Sequence, residues 1–268
     1  MTGVGVSLMG AYALLKAELA DLFQYRVVLF LYSLWEVINP IVYLSVWSVV
    51  VGDGEVSDFG RSDFVAYYLI LMIVSHVTVA IEIYSFGPMI QHGRLSSHLL
   101  RPIQPMWLAA ARNLSYKTVT LLFLVPIWLL FFVVLRPGFE IEAVAIVLFI
   151  VSVGLATLLS FLAGAAFAML AFWTTRSFSF WEIWVGLTFL LGGQVAPIAL
   201  LPGALQHLAV ALPVRYTLGF PIEVLMGRVR GFELALGFTL QIGWTLAAAL
   251  MVSAIWRAGI KRYSAVGA

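Results

Sequence analysis

The sequence predicts an all-α integral membrane protein. It has six transmembrane helices, an N-terminal interfacial helix, and an extracellular re-entrant helical hairpin between helices five and six. Three observations carry this reading. Hydrophobic residues make up 63% of the 268 positions, charged residues only 10%, and the mean hydropathy is +1.04. A soluble fold of that composition would lack the polar surface to cover itself. Windows of roughly 20 apolar residues, the length that crosses a hydrocarbon core, recur along the chain and leave no stretch for a soluble domain. Basic residues, finally, fall unevenly on alternate connections.

The elements follow in order within one transmembrane domain, residues 1–268. In 7–24, Leu8, Tyr12, Leu15, Leu19 and Leu22 share one helical stripe, while Glu18, Asp21 and Gln24 lie away from it. That is the pattern of a helix lying in the membrane interface, or of a soluble amphipathic helix packed on a partner. Lys16, Glu18 and Asp21 interrupt the first apolar stretch, so no cleaved signal peptide is expected and the first span stays in the mature protein. Spans are expected at 26–51, 64–90, 113–135, 142–173, 182–199 and 232–256. Asn39 and Pro40 predict a kink in the first, because proline lacks a donor and clashes with the preceding turn. Gly154, Ala156, Ser160, Ala163, Gly164, Ala165 and Ala168 make the fourth a close-packing helix.

Two connections stand out. Residues 91–112, QHGRLSSHLLRPIQPMWLAAAR, contain no acid and predict a short helix from near Arg94 to just before Pro102. Such a loop suits either a docking element or a basic segment held against anionic lipid headgroups. Residues 192–231 carry Pro197, Pro202, Pro213 and Pro221, too many for one regular span, yet are too apolar for an exposed loop. A re-entrant pair of short helices over 200–231, sheltered by protein, satisfies both facts. A single kinked span there would put the basic C-terminal tail on the wrong side.

The charges orient the chain. Lys16, Arg26, Arg94, Arg101, Arg112, Lys117, Arg176, Arg257, Lys261 and Arg262, ten of the 15 basic residues, lie on connections that alternate to one side. Asp53, Glu55, Asp58, Asp63, Glu140, Glu142, Glu223 and Glu233 lie on the other. Both termini are therefore expected in the cytoplasm.

Chemistry is sparse. The chain has no cysteine, so disulfides, cysteine-ligated zinc and thiol catalysis are excluded, and a net charge of +2 does not suggest nucleic acid. None of the three lysines follows a glycine, so the phosphate-binding loop G-x-x-x-x-G-K-[ST] is absent, as are H-E-x-x-H and G-x-S-x-G. The four histidines have no carboxylates at ligand spacing, and no metal site is expected. Intramembrane ionisable groups remain. Glu36 and Glu82, with His76, could form a proton relay; alternatively they and Asn39 are structural or line a cavity. The start of span five carries Glu182, which complements a helix N-terminus.

Two stretches carry a family resemblance: GRLSSHLLRPIQP at 93–105, and the segment from FWEIW at Phe180 through GGQVAPIALLPGALQHLAVALPVRYTLGFPIEVLMG to Gly227. With the interfacial helix and the span order, the chain resembles the permease subunit of an ABC-2-type ABC transporter, an exporter transmembrane domain of type V fold. It is most similar to the branch with an L-L-R-P loop and a P-x-x-x-x-x-G ending, here Pro221 to Gly227. The resemblance implies a half-transporter in the bacterial plasma membrane. It pairs with a second permease, identical or related, and with separate cytoplasmic ABC ATPase subunits that hold ATP and Mg; the chain itself binds no cofactor and is no enzyme. It further implies that Gly93, Arg94, Leu95, His98, Leu99, Leu100 and Arg101 form the coupling helix that contacts the ATPase. The hairpin prolines Pro197, Pro202, Pro213 and Pro221 would belong to the outer gate. A stand-alone proton-coupled secondary transporter is the alternative.

Overall fold

A computed structural model describes residues 8–101, 103–138 and 142–263. The helix stop expected at Pro102, the outer acid Glu140 and the start of the interfacial helix at residue 7 lie outside the described residues. The described chain is a helical bundle in the order α1 (Leu8–Gln24), α2 (Arg26–Ser33), α3 (Trp35–Val51), α4 (Arg61–Thr78), α5 (Glu82–Gln91), α6 (Leu95–Leu99), α7 (Pro105–Leu135), α8 (Ala143–Met169), α9 (Ser177–Leu191), α10 (Gly203–Ala211), α11 (Gly219–Leu225) and α12 (Gly231–Ile260).

Among the described residues five segments are long and apolar enough to cross a membrane: Arg26–Val51, Arg61–Gln91, Pro105–Leu135, Ala143–Phe172 and Gly231–Ile260. The sixth expected crossing, 182–199, corresponds to α9, which has 15 residues. At a rise of about 1.5 Å per residue it is about 22 Å long, short of a hydrocarbon core of roughly 30 Å. Gly192 and Gly193 end it, the latter at φ +89°, a left-handed conformation that glycine adopts at no steric cost.

Two expected spans are broken. The first divides at Leu34 into α2 and α3, and Pro40 sits buried inside α3. A proline ring presses on the turn before it, and the irregularity falls there rather than at the proline. The second divides between α4 and α5, where Val79 is extended (φ −54°, ψ 134°). Side chains from two other helices take up the carbonyls freed at this break: Thr157 of α8 donates to Val77 O at 3.2 Å, and Asn113 of α7 to Val79 O at 3.1 Å. The third span begins earlier than expected. Gln104 is extended with Pro105 at the first helical position, a favourable start, so Arg112 and Lys117 belong to α7 and not to a cytoplasmic loop.

α4 is the centre of the bundle. It has no polar face, and Phe64, Tyr67, Tyr68, Leu71 and Met72 are fully buried among α3, α7, α8 and α11. α8 and α12 pack along their length through small residues, and Gly237 of α12 receives the ring of Phe220, to which an added Cβ would come within 2.1 Å. Along α7 lies α1: Leu22 is buried with Leu29 and Val119, and Ser115 donates to Leu15 O. Glu18, placed on the polar face by the stripe, turns instead to α7 and pairs with Arg112 at 3.3 Å.

The stretch from Gly192 to Leu225 is irregular, and each proline opens a short helix. Pro197 and Pro202 precede the turn Ile198–Leu200 and α10, Pro213 begins the turn Pro213–Thr217, and Pro221 sits in the first turn of α11. Polar side chains of the long helices hold this stretch. The Tyr67 hydroxyl donates to Gly193 O, the Tyr68 hydroxyl and Trp47 Nε1 both donate to Val195 O, and Gln241 Nε2 donates to Tyr216 O. Leu201 and Leu212 pack with Leu191 and Trp184 of α9, whereas Leu205 and Leu208 point outward instead of joining them.

These tethers differ in redundancy. Tyr67→Phe leaves Gly193 O without its hydroxyl partner in an apolar setting and should cost about 1–3 kcal/mol. Tyr68→Phe should cost less, since Trp47 still serves Val195 O. Thermal unfolding of both variants in lipid nanodiscs checks the order; equal losses would show that the Gly193 tether is not the tighter one.

Candidate functional site

A cleft of about 370 Å³ lies where α3, α4, the α4–α5 break, α8 and α9 converge. Its polar lining comes from Glu36, Asn39, Ser75, Thr78, Ser160, Thr188, Gln194 and Thr217. Trp35, Tyr84, Trp181 and Trp184 supply the aromatic one, with Trp35 and Tyr84 largely exposed and Trp181 buried. α3 and α9 meet beyond it through Tyr43 and Phe189, whose ring centres are 6.1 Å apart. Thr217 and Leu218, with Gln194, bring the irregular Gly192–Leu225 stretch to its wall. Glu36 is partly exposed into this space, and the Ser75 hydroxyl sits beside its carboxylate.

The four intramembrane residues singled out from sequence do not form one group. Glu36 and Asn39 line the cleft. His76 is buried on the α7 side, its Nε2 3.2 Å from Thr120 Oγ1 and 3.4 Å from Lys117 O, with its ring against Trp128. Glu82 is 1% exposed at the start of α5, beside Lys117 and Asn113 of α7, and it packs on Gly164 of α8. An added Cβ at Gly164 would stand 2.9 Å from a Glu82 carboxylate oxygen. Among the described residues no hydrogen bond joins any two of Glu36, His76 and Glu82, so the geometry offers no continuous relay among them.

Lys117 is the member of this interior cluster that the sequence misplaces. Expected on a basic loop, it is buried about 18 Å into α7 and faces Glu82. The signal that could have found it is Pro105 after Gln104, which starts the helix early and carries the lysine inward.

At the cytoplasmic end expected from the charges, Gly93 turns the chain at φ +72° into α6. Leu95 is fully buried with Phe86, Ile90 and Met169, and Ser96 is held by the segment after α12 through the Tyr263 hydroxyl at 3.1 Å. Leu100 is 88% exposed and Leu99 is also exposed, flanked by exposed Arg94 and Arg101. Burial first, and then the Arg101 charge, hold the His98 imidazole below its ordinary value, which keeps it neutral at physiological pH. A firmly seated helix thus presents two leucines between two arginines.

At the other end a second cavity, about 420 Å³, contains the Arg215–Glu223 ion pair at 2.6 Å. Arg228 closes its edge, paired with Asp63 at 2.7 Å and stacked over Phe59. In the sequence these charges read as loop residues; the pairing of Arg228 with Asp63 depends on segments far apart in the chain.

A family model described as ABC-2 family transporter protein matches residues 30–267. A comparison with curated proteins returns no match.

The interior cluster has a measurable consequence. Lys117→Met strands the buried Glu82 and should cost about 3 kcal/mol, while Lys117→Met with Glu82→Gln should recover most of that loss. A thermal-unfolding cycle in nanodiscs checks it; additive losses would show that the two groups do not interact.

Proposed function

The chain belongs to the ABC-2 family of transporter proteins, and we propose on that premise that it is the transmembrane permease subunit of an ATP-driven exporter. Two permeases, identical or related, would form the substrate pathway, and separate cytoplasmic ATPase subunits would supply ATP, Mg and hydrolysis. The chain itself then carries no nucleotide site and no catalysis. Its setting is the bacterial inner membrane, with both termini in the cytoplasm.

One observation carries the coupling assignment: α6 is anchored by Leu95 while Leu99 and Leu100 are offered outward between Arg94 and Arg101. Exposed leucines suit an apolar groove and the arginines suit an acidic rim, the composition of a docking contact rather than of a solvated loop. α5, ten residues long, joins this helix directly to the break that borders the cleft. A displacement at α6 would therefore act on the cleft through the Gly93 turn and one short helix.

Six crossings follow if α9 and the segment after it are taken together. The helix of about 22 Å is followed by the non-helical Gly192–Pro197, and Pro197 lines the same cavity as Ser57 and Asp58, so the two together have the reach for roughly 30 Å. The tethered stretch that follows would lie in the outer leaflet as a re-entrant hairpin, with Pro197, Pro202, Pro213 and Pro221 opening its short helices. Since it walls the outer side of the cleft, it is suited to be the outer gate. The separation of Glu36, His76 and Glu82 favours ATP-driven over proton-coupled transport.

Purification from the native host should bring down an ABC ATPase, and Leu99→Asp with Leu100→Asp should abolish its recovery while the permease still inserts. Unchanged recovery would refute the docking assignment. In the cysteine-free chain, a cysteine at Ser57 should react with an impermeant reagent added outside intact cells, and one at Ser97 should not. The reverse labelling would invert the topology.

A further inference from the structure

We infer that the cleft between α3, α4 and α9 binds an amphipathic organic cation, with Glu36 as its counter-ion and the surrounding indole and phenol rings as its cage. The inference rests on the permease reading for its transport role, and on the cleft alone for its chemistry.

Within the lining the charge is of one sign. Among the described lining residues Glu36 is the sole carboxylate, and neither lysine nor arginine is present. Just outside, Glu182 of α9 acts on Tyr84, which lines the cleft, while the other side of Tyr84 borders Arg94 and Arg112, the latter already paired with Glu18. Behind the Ala80 wall, Glu82 and Lys117 offset one another and leave little net field. An anion entering the cleft would meet repulsion at low dielectric, where it is felt most strongly, and a neutral solute would leave Glu36 without a partner beyond Ser75.

The rings add selectivity of shape. Trp181 and Trp184 are stacked with centres 6.5 Å apart, and Trp35 and Tyr84 stand at the lining with most of their surface open. Several aromatic faces around one carboxylate form the arrangement that holds alkyl- or aryl-substituted ammonium and phosphonium ions, which carry charge without strong hydrogen-bond demand. Small hydrated cations are poorly served, because the lining provides amides and hydroxyls at Asn39, Thr78 and Gln194 but no second carboxylate to replace a hydration shell. A volume of about 370 Å³ is that of a compact organic molecule rather than of an ion or a whole lipid.

Tetraphenylphosphonium and tetraphenylborate share size and shape and differ in the sign of charge, so together they isolate the question. Equilibrium binding of each to the full chain in nanodiscs, above that of empty nanodiscs and without any ATPase, is the measurement. The cation should bind saturably and the anion should not. Glu36→Gln should weaken the cation about tenfold or more, and Trp184→Leu about threefold. Asn39→Asp should restore cation binding to the Glu36→Gln chain, which keeps the test informative if Glu36→Gln alone perturbs folding. Glu55→Gln, on an exposed loop, should change nothing. Equal binding of the anion, no saturable cation binding, or a cation affinity indifferent to both Glu36→Gln and Asn39→Asp would overturn the assignment. Because no ATPase takes part, those results leave the permease reading standing, and a failed ATPase recovery leaves the cleft chemistry standing.

Discussion

A helix that breaks inside an apolar bundle frees carbonyl and amide groups that have no competing partner there, and the rest of this structure is arranged around supplying one. At the α4–α5 break the partners are Thr157 and Asn113. At the end of α9 they are Tyr67, Tyr68 and Trp47. Near the turn before α11, Gln241 donates to Tyr216 O and also to Ser152 O, and accepts from the Ser152 hydroxyl, so one amide ties α8, α12 and the irregular stretch together. Each tether comes from a long helix, and the positions of the α4–α5 break and of the Gly192–Leu225 stretch are thereby referred to the bundle.

The same constraint governs charge. Carboxylates, lysine and arginine that lie within the bundle are set against an opposite charge or a cavity: Glu82 near Lys117, Arg215 on Glu223, Glu36 in the cleft. Gly164 makes room for Glu82, and any side chain there would press on its carboxylate. Glu82 is buried at the head of α5, packed on Gly164 of α8 and near Lys117 of α7, at the point where that helix leaves the break. α5 then runs to the turn at Gly93 that leads into α6, so α6 and the cleft are linked by one short helix and one turn.

Much of this is legible in the residues. The apolar windows locate the long helices, the prolines of 197–221 mark the irregular stretch, and GRLSSHLL marks the short helix seen as α6. Element ends are less legible. Lys117 reads as a loop residue because a positive charge in an apolar run looks like its boundary, whereas Gln104 and Pro105 start α7 well before it. The break at Val79 has no proline or glycine to announce it; it persists because Asn113 and Thr157, distant in sequence, donate to the freed carbonyls.

By itself the sequence determined that this chain lives in a bilayer, where its long helices fall and which family it resembles, because hydropathy and motif order are properties of local stretches. Only the tertiary structure decided which polar residues work together. Glu36 is separated from His76 and Glu82, Lys117 is brought near Glu82, and Leu95 is distinguished from Leu100 only once helix rotation is known. A helix places neighbouring residues on different faces, and which face meets a partner depends on helices that the local sequence does not contain.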